Sequence, residues 1–217
     1  MQFEFDKIIN RVGTSSSKWN KYDHPNIIPM WVADMDFETA PCIKDALLNR
    51  INHGIYGYTE PPKELPSTVA NYLKTEFNWS IDTDWIVWLP SLVVGLNVVS
   101  RAFADEGDYI LSNTPIYPPF LSAPTNGNRE TITAPLAWNG AKWVMDIDAL
   151  EKTVTNKTKA FLFCSPHNPT GRVWEIDELN ALVNFCHKHN LTLISDEIHA
   201  GLILDQDKTH TATANIP

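Results

Sequence analysis

The chain is short of cysteine, of basic charge and of long apolar runs. Its three cysteines, Cys42, Cys164 and Cys186, are widely spaced and each sits in an apolar setting, which argues against a disulfide framework or a metal cluster. The expected compartment is reducing. Seventeen Lys and Arg against 26 Asp and Glu give a formal net charge of -9 with no basic block. A nucleic-acid or anionic-membrane surface is therefore disfavoured, and a small soluble ligand fits better. No apolar stretch approaches the ~20 residues needed to span a bilayer. Met1-Gln2-Phe3-Glu4-Phe5-Asp6 has neither the basic start nor the apolar run of a signal peptide, so the expected location is the cytoplasm. Repeats and low-complexity tracts are missing too. What is present, 43% hydrophobic residues over 217 positions, suffices for a substantial core in one large domain or slightly more.

The first 40 residues lack a clear period and read as an arm. From Pro41 a helix is expected, with Thr39 as cap, Ile43, Ala46, Leu47, Arg50 and Ile51 at helical spacing, and Gly54 as its end. Leu65, Val69, Tyr72, Leu73 and Phe77 predict a second helix after the Pro61-Pro62 turn. The pattern then changes. Trp85 to Leu89, Tyr109 to Leu111, Ala160 to Phe163 and Leu191 to Ile194 are short continuous apolar runs, as in strands covered on both faces of a parallel sheet. Helical candidates, notably Leu96 to Phe103 and Asp177 to His189, lie between several of them, and the alternation predicts an α/β fold. The loops holding Ser91, Tyr117, Asn168 and Asp196 all follow proposed strands, so a parallel sheet places them along one edge, where open α/β folds bind ligands.

Two motifs stand out: Phe163-Cys164-Ser165-Pro166-His167-Asn168-Pro169-Thr170-Gly171 and Ser195-Asp196-Glu197-Ile198-His199. Asn168 lies between two prolines that stiffen the backbone and aim one neutral amide. Asp196 ends an apolar run, where a carboxylate can face a cationic group on a ligand. Together they suit a ring that carries both an oxygen and a protonated nitrogen. Ser91 to Gly95 opens a helix whose first amides can hold a phosphate, or it is an ordinary strand-to-helix turn. Tyr117, among Pro115, Pro118 and Pro119, either offers a stacking face or simply packs. Asp196-Glu197 also reads as a nucleotide-hydrolase strand end, but no Gly-x-x-x-x-Gly-Lys-Ser/Thr accompanies it. The Asp-x-Asp triplets at Asp34, Asp82, Asp146 and Asp205 suggest metal-bound nucleotide sugars or, for most of them, turns and helix caps; no metal site is expected.

Ser-Pro-x-Asn-Pro-Thr-Gly followed by Ser-Asp-Glu-Ile-His resembles the pyridoxal 5'-phosphate (PLP) enzymes of fold type I, the class I/II aminotransferase superfamily. Asp34-Met35-Asp36-Phe37 after Trp31, Gly54-Ile55-Tyr56-Gly57-Tyr58 and His199 are most similar to the MalY/PatB-type cystathionine β-lyases, and the match runs in order from Phe5 to about Ile203. The resemblance implies a fold-type-I large domain, a mostly parallel sheet with flanking helices, over 41–217 and incomplete at its carboxyl end. Residues 1–40 become an arm with part of a small domain. It puts the amides of Leu92 and Val93 on the cofactor phosphate, Tyr117 on the pyridine ring, and Asp196 opposite the protonated ring nitrogen. Asn168 joins this cofactor-binding set, and His199 acts around the 3'-oxygen or Asp196. Tyr58 reaches the phosphate of a neighbouring subunit, which implies a homodimer. His167 receives no role.

The family's Schiff-base lysine follows a serine-rich signature further along, and no catalytic residue is assigned here. Lys208, the last lysine, lies 12 residues after Asp196 in a polar run that reads as a surface turn. The expected activity of the intact protein is carbon–sulfur β-lysis of cystathionine or related cysteine conjugates to thiol, pyruvate and ammonia. The 217-residue chain alone is then an inactive amino-terminal fragment. An aminotransferase of the same fold and a noncatalytic binding module are the alternatives.

Overall fold

The computed structural model describes residues 4–24 and 26–217. Residues 1–3 and Pro25 of the expected arm lie outside the described residues. The chain divides into two compact units, Met1–Glu60 and Pro61–Pro217.

The first unit has an irregular backbone, and polar partners take the place of a large apolar interior. Arg11 reaches Asp34 and Asp36, each at 2.7 Å. Lys18, on the short helix α1 (Ser17–Asn20), donates to the Asp36 carboxylate and the Asp34 carbonyl, both at 2.7 Å, and the Trp19 indole donates to Asp36 at 2.7 Å. The Lys18 ammonium, the Trp19 indole and Arg11 hold the Asp36 carboxyl well below the usual carboxylate range. The Asp34–Asp36 triplet is thus an ion-pair hub, whereas Asp82 and Asp146 cap helical turns, accepting from Asp84 N at 3.0 Å and Ala149 N at 2.9 Å. Helix α2 (Pro41–His53) ends at Gly54 with φ +75°, as its sequence predicts. Its cap is Ala40 and not Thr39, because Pro41 opens the helix with a preset φ and without an N–H that a side chain would need to cap.

The second unit begins with α3 (Leu65–Phe77) and a 3-10 turn at Thr83–Trp85. The strand expected at Trp85 to Leu89 does not form. A ladder needs a neighbour, none pairs with this segment among the described residues, and Trp85 and Val87 stay 68% and 75% exposed. Next come α4 (Leu92–Ala102), β1 (Tyr109–Thr114), α5 (Pro119–Thr125) and β2 (Glu130–Pro135). A hairpin of β3 (Ala137–Trp138) and β4 (Trp143–Val144) leads to α6 (Ile147–Thr153), β5 (Thr158–Cys164), α7 (Ile176–Lys188) and β6 (Thr192–Asp196).

Four strands make a parallel sheet in the order β2-β1-β5-β6. Side chains alternate across it. Ala160, Leu162 and Cys164 of β5 meet Ile110, Ile194 and the helices α4 and α5 on one face, while Phe161, Phe163, Leu111 and Leu193 meet α6 and α7 on the other. Both faces of β5 are covered, which is why its sequence is continuously apolar. The short connection 103–108 between α4 and β1 sends α4 back along the sheet, so its amino terminus lies towards the edge where the strands end.

Leu162 is fully buried at the centre of this sheet. Leu162→Ala should destabilise the chain by about 2–5 kcal/mol, the range for a large-to-small change in a packed core. Urea unfolding followed by circular dichroism measures it, and a loss below ~1 kcal/mol would mean that the α4–α5 layer does not pack on β5.

Candidate functional site

Three loops leave the carboxyl ends of β1, β5 and β6. The one after β5 is the most tightly specified. Asn168 N donates to the Cys164 Sγ at 3.4 Å, His167 N donates to Arg172 O at 2.8 Å, and Gly171, at φ +69°, returns its N–H to His167 O at 2.8 Å. The Asn168 side-chain amide has no hydrogen-bond partner among the described residues and is half-buried, so it is a free donor on a stiff loop. His167 is 2% exposed, its Nδ1 lies 2.8 Å from the Thr170 hydroxyl, and its Nε2 has no partner among the described residues. Burial first, and the nearby Arg172 charge second, push its pKa down to about 4, so the ring is neutral. Burial also pushes the Cys164 thiol up to about 11.

Asp196 ends β6 directly beside Cys164, its register partner, and its carbonyl accepts from Ser165 N at 3.0 Å. The two motif loops therefore share one strand-end junction. The Asp196 carboxylate accepts from Ile198 N at 3.1 Å and has no cation hydrogen-bonded to it among the described residues. Burial raises its pKa above the ordinary value, only partly offset by Ile198 and the charge of His199. Such a carboxylate is an acid waiting for a cation. Asn168 and His199 line one cavity of about 350 Å³ with Pro166, Leu202, Leu204 and Asp205.

At the start of α4, Ser91 caps the helix by accepting from Val94 N at 3.3 Å, which leaves the amides of Leu92 and Val93 unbonded among the described residues. Both positions are roughly half exposed, so an anion can reach those amides. Tyr117, after β1, is 41% exposed with its ring available for stacking. Tyr58 belongs to the first unit and is fully exposed there. Lys208 has its ammonium 3.4 Å from Glu175, which fits the surface turn expected of it. No group of three or more His, Cys, Asp or Glu side chains among the described residues is placed to hold a metal.

Sequence reasoning missed a second polar cluster, on the opposite face of β6. Glu197 accepts from Ser195 Oγ at 2.8 Å and Thr213 N at 2.9 Å, and its other oxygen lies 2.8 Å from His210 Nε2. Burial works against the charge, but His210, Thr213 and Ser195 outweigh it and hold the Glu197 carboxyl below its usual range. His210 lies 13 residues beyond Glu197 in an irregular polar run, so no local pattern announces the contact.

A parallel sheet with a free helix amino terminus, a free amide and an unpaired acid along its strand ends is the framework of a fold-type-I enzyme. The chain matches the model of the aminotransferase class I and II family over residues 25–216, and it belongs to that family. It is 35% identical over 217 residues to cystathionine beta-lyase PatB of Bacillus subtilis, covering 98% of this chain and 56% of that protein. The crystal structure of OvoB superposes with a TM-score of 0.90 at 39% identity, over 99% of this chain and 57% of that one. The crystal structure of cystalysin from Treponema denticola, which contains a pyridoxal 5'-phosphate cofactor, gives 0.89 at 35% identity, over 100% of this chain and 57% of that one. The chain thus spans little more than half the length of these relatives.

The raised pKa of Asp196 has a direct consequence for stability. A carboxyl that holds its proton more tightly when folded makes ionisation unfavourable to the fold. Its contribution is best below the unfolded value of about 3.9 and worsens as pH rises through the folded value. Asp196→Asn keeps the acceptor for Ile198 and removes the charge. In the cofactor-free chain it should raise Tm at pH 7 and leave Tm unchanged near pH 3; a lower Tm at pH 7 would show that the carboxylate is already satisfied.

Proposed function

We propose that the protein is a PLP-dependent carbon–sulfur β-lyase acting on cystathionine or a related cysteine conjugate. The observation that carries this reading is Asp196, a half-buried carboxylate with no cation bonded to it among the described residues, at a strand end adjacent to that of the Asn168 loop. Those two groups fit a pyridinium nitrogen and a ring oxygen, and the Leu92 and Val93 amides fit a phosphate. The names of PatB and cystalysin support the cofactor and the reaction class.

Bound in this way, PLP supplies an electron sink for the carbanion formed at the α-carbon of an amino acid. The chain's residues divide the remaining work. Leu92 and Val93 anchor the phosphate through their backbone N–H groups, so their apolar side chains are no obstacle. Tyr117 covers one ring face. Asp196 keeps a proton on the ring nitrogen, Asn168 donates to the ring oxygen, and His199 acts around that oxygen or Asp196. The lysine-independent part of the site is thereby pre-shaped for one planar, zwitterionic ring. In this reading Tyr58 serves the phosphate of a neighbouring subunit in a cytoplasmic homodimer. Among the described residues no helix is long and apolar enough to cross a membrane.

The full product of the gene, given cystathionine, should release thiol and pyruvate without an added keto acid. Amino transfer that requires a keto acid and yields no thiol would replace the lyase with an aminotransferase. In the same assay Asp196→Asn should lower turnover on the order of 100-fold, about 2.7 kcal/mol of barrier, for the loss of one preorganised charge. Asn168→Ala should do less, since it removes one neutral hydrogen bond worth roughly 0.5–1.5 kcal/mol. Turnover of Asp196→Asn equal to the parent would refute the ring-nitrogen contact.

A further inference from the structure

We propose that His210 and Glu197 are positioning residues: the return segment 208–213 grips Glu197 from one face of β6 and thereby fixes the direction of Asp196 on the other. Within the described residues β6 is an edge strand, paired only with β5, and its last paired residue is Asp196 itself. Directly beyond it run turns, closed by Ala200 N to Glu197 O at 2.9 Å and Leu202 N to His199 O at 2.8 Å. A strand end held from one side frays readily. Its rotation would swing the Asp196 carboxylate away from the Cys164 side of the sheet.

Besides Ser165 N on the Asp196 carbonyl and Ile198 N on its carboxylate, the bonds that oppose this rotation reach Ser195 and Glu197. Alternation sends these two side chains to the face opposite Asp196. They line a second cavity, of about 400 Å³, with Trp79, Leu193 and Thr213. His210 Nε2 stands 2.8 Å from one Glu197 oxygen, and the His210 side chain is only 2% exposed. Thr213 N and Ser195 Oγ occupy the other oxygen, and the Thr213 and Ser195 hydroxyls lie 2.9 Å apart. The gripping segment is itself anchored to the end of α3: the His210 ring stands edge-on to Phe77 at 5.4 Å, and Asn215 donates to Phe77 O at 2.8 Å. Helix α3, the return segment and Glu197 thus form one brace, and the residue between the two braced side chains is Asp196.

The inference rests on the reading of Asp196 as the ring-nitrogen partner, yet its first test needs no cofactor. Carbon-13 NMR of the cofactor-free 217-residue chain follows the Asp196 carboxyl through its titration, with Asp196→Asn assigning the signal. The groups acting on this carboxyl are Glu197, His199, the Ile198 amide and the Cys164 thiol; of these Glu197 is bonded to His210, so Glu197→Gln, which keeps an acceptor for Thr213 N and removes the charge, measures the part of any shift that comes from the Glu197 charge alone. In His210→Ala, at a temperature where circular dichroism shows the variant folded, the Asp196 titration should move down towards that of a solvated aspartate. His210→Gln, which keeps a neutral donor for Glu197, should restore most of the parent position. A folded His210→Ala whose Asp196 titrates like the parent, or moves no further than in Glu197→Gln, overturns the proposal, because loss of the Glu197 charge alone accounts for such a shift. Should His210→Ala fail to fold, Ser195→Ala removes one donor to Glu197 and must shift the Asp196 titration in the same direction; no shift there overturns it equally. A second measurement, PLP binding by the same chain, separates the two readings. His210→Ala should weaken binding roughly threefold to tenfold, the size of one lost hydrogen bond. If Asp196→Asn leaves PLP binding and its spectrum unchanged while His210→Ala still moves the Asp196 titration, the brace stands and the ring-nitrogen contact falls.

Discussion

The parallel pairing of β5 with β1 on one side and β6 on the other decides where every strand-end residue lies, because one register sets three loops at once. Leu162 opposite Ser112 and Ile194, and Cys164 opposite Asp196, leave no freedom to slide by one residue. Such a slip would send Phe161 and Phe163 to the α4–α5 face and Ala160 and Leu162 to the α6–α7 face. Large and small side chains would then meet the wrong layers. The packing of an apolar core that touches no ligand is therefore what holds Asn168 and Asp196 at adjacent strand ends.

The same register explains why an unfavourable carboxylate can persist. Asp196 lies on the face where Cys164 and Ile194 pack, in surroundings that push a thiol up, and burial pushes the imidazole of His167 down in the neighbouring loop. The Cys164 thiol and the His167 ring respond by staying neutral. A carboxylate in a poorly solvated strand-end junction favours a cation over a neutral ring, so in the proposed reading burial is part of the selectivity.

How far the chain can be read without coordinates follows from which interactions are local. Continuous apolar runs revealed β1, β5 and β6, since burial on both faces leaves a direct imprint on composition. The identical imprint misled at Trp85 to Leu89, where side chains are apolar but no strand among the described residues completes the ladder. Strand β2, with its Thr131-Ile132-Thr133 alternation, was passed over because it lies at the other edge and is less apolar than the central strands. Asn168, Asp196 and the α4 turn were legible through stiff or charged residues next to such runs. The hub of Arg11, Lys18, Trp19, Asp34 and Asp36 was not, because its members are drawn together from up to 25 residues apart by an irregular backbone. His210 fails to show for the same reason: a histidine between two threonines has no period, and its meaning arises only when the chain returns to Glu197.

That return suggests how one short strand can serve two purposes. In β6 successive residues alternate between faces, so Ser195 and Glu197 are free to be structural while Asp196 is free to be chemical. Polar groups on the structural face satisfy one another almost completely, whereas the group on the chemical face is left with a single backbone donor. A fully satisfied cluster has one preferred geometry, and an unsatisfied acid has an unmet preference for a ligand. If Asp196 is the ring-nitrogen partner proposed above, placing the two on consecutive residues transmits rigidity through a single peptide unit, the shortest lever the backbone offers, and presents the carboxylate to a ligand without leaving it free to turn.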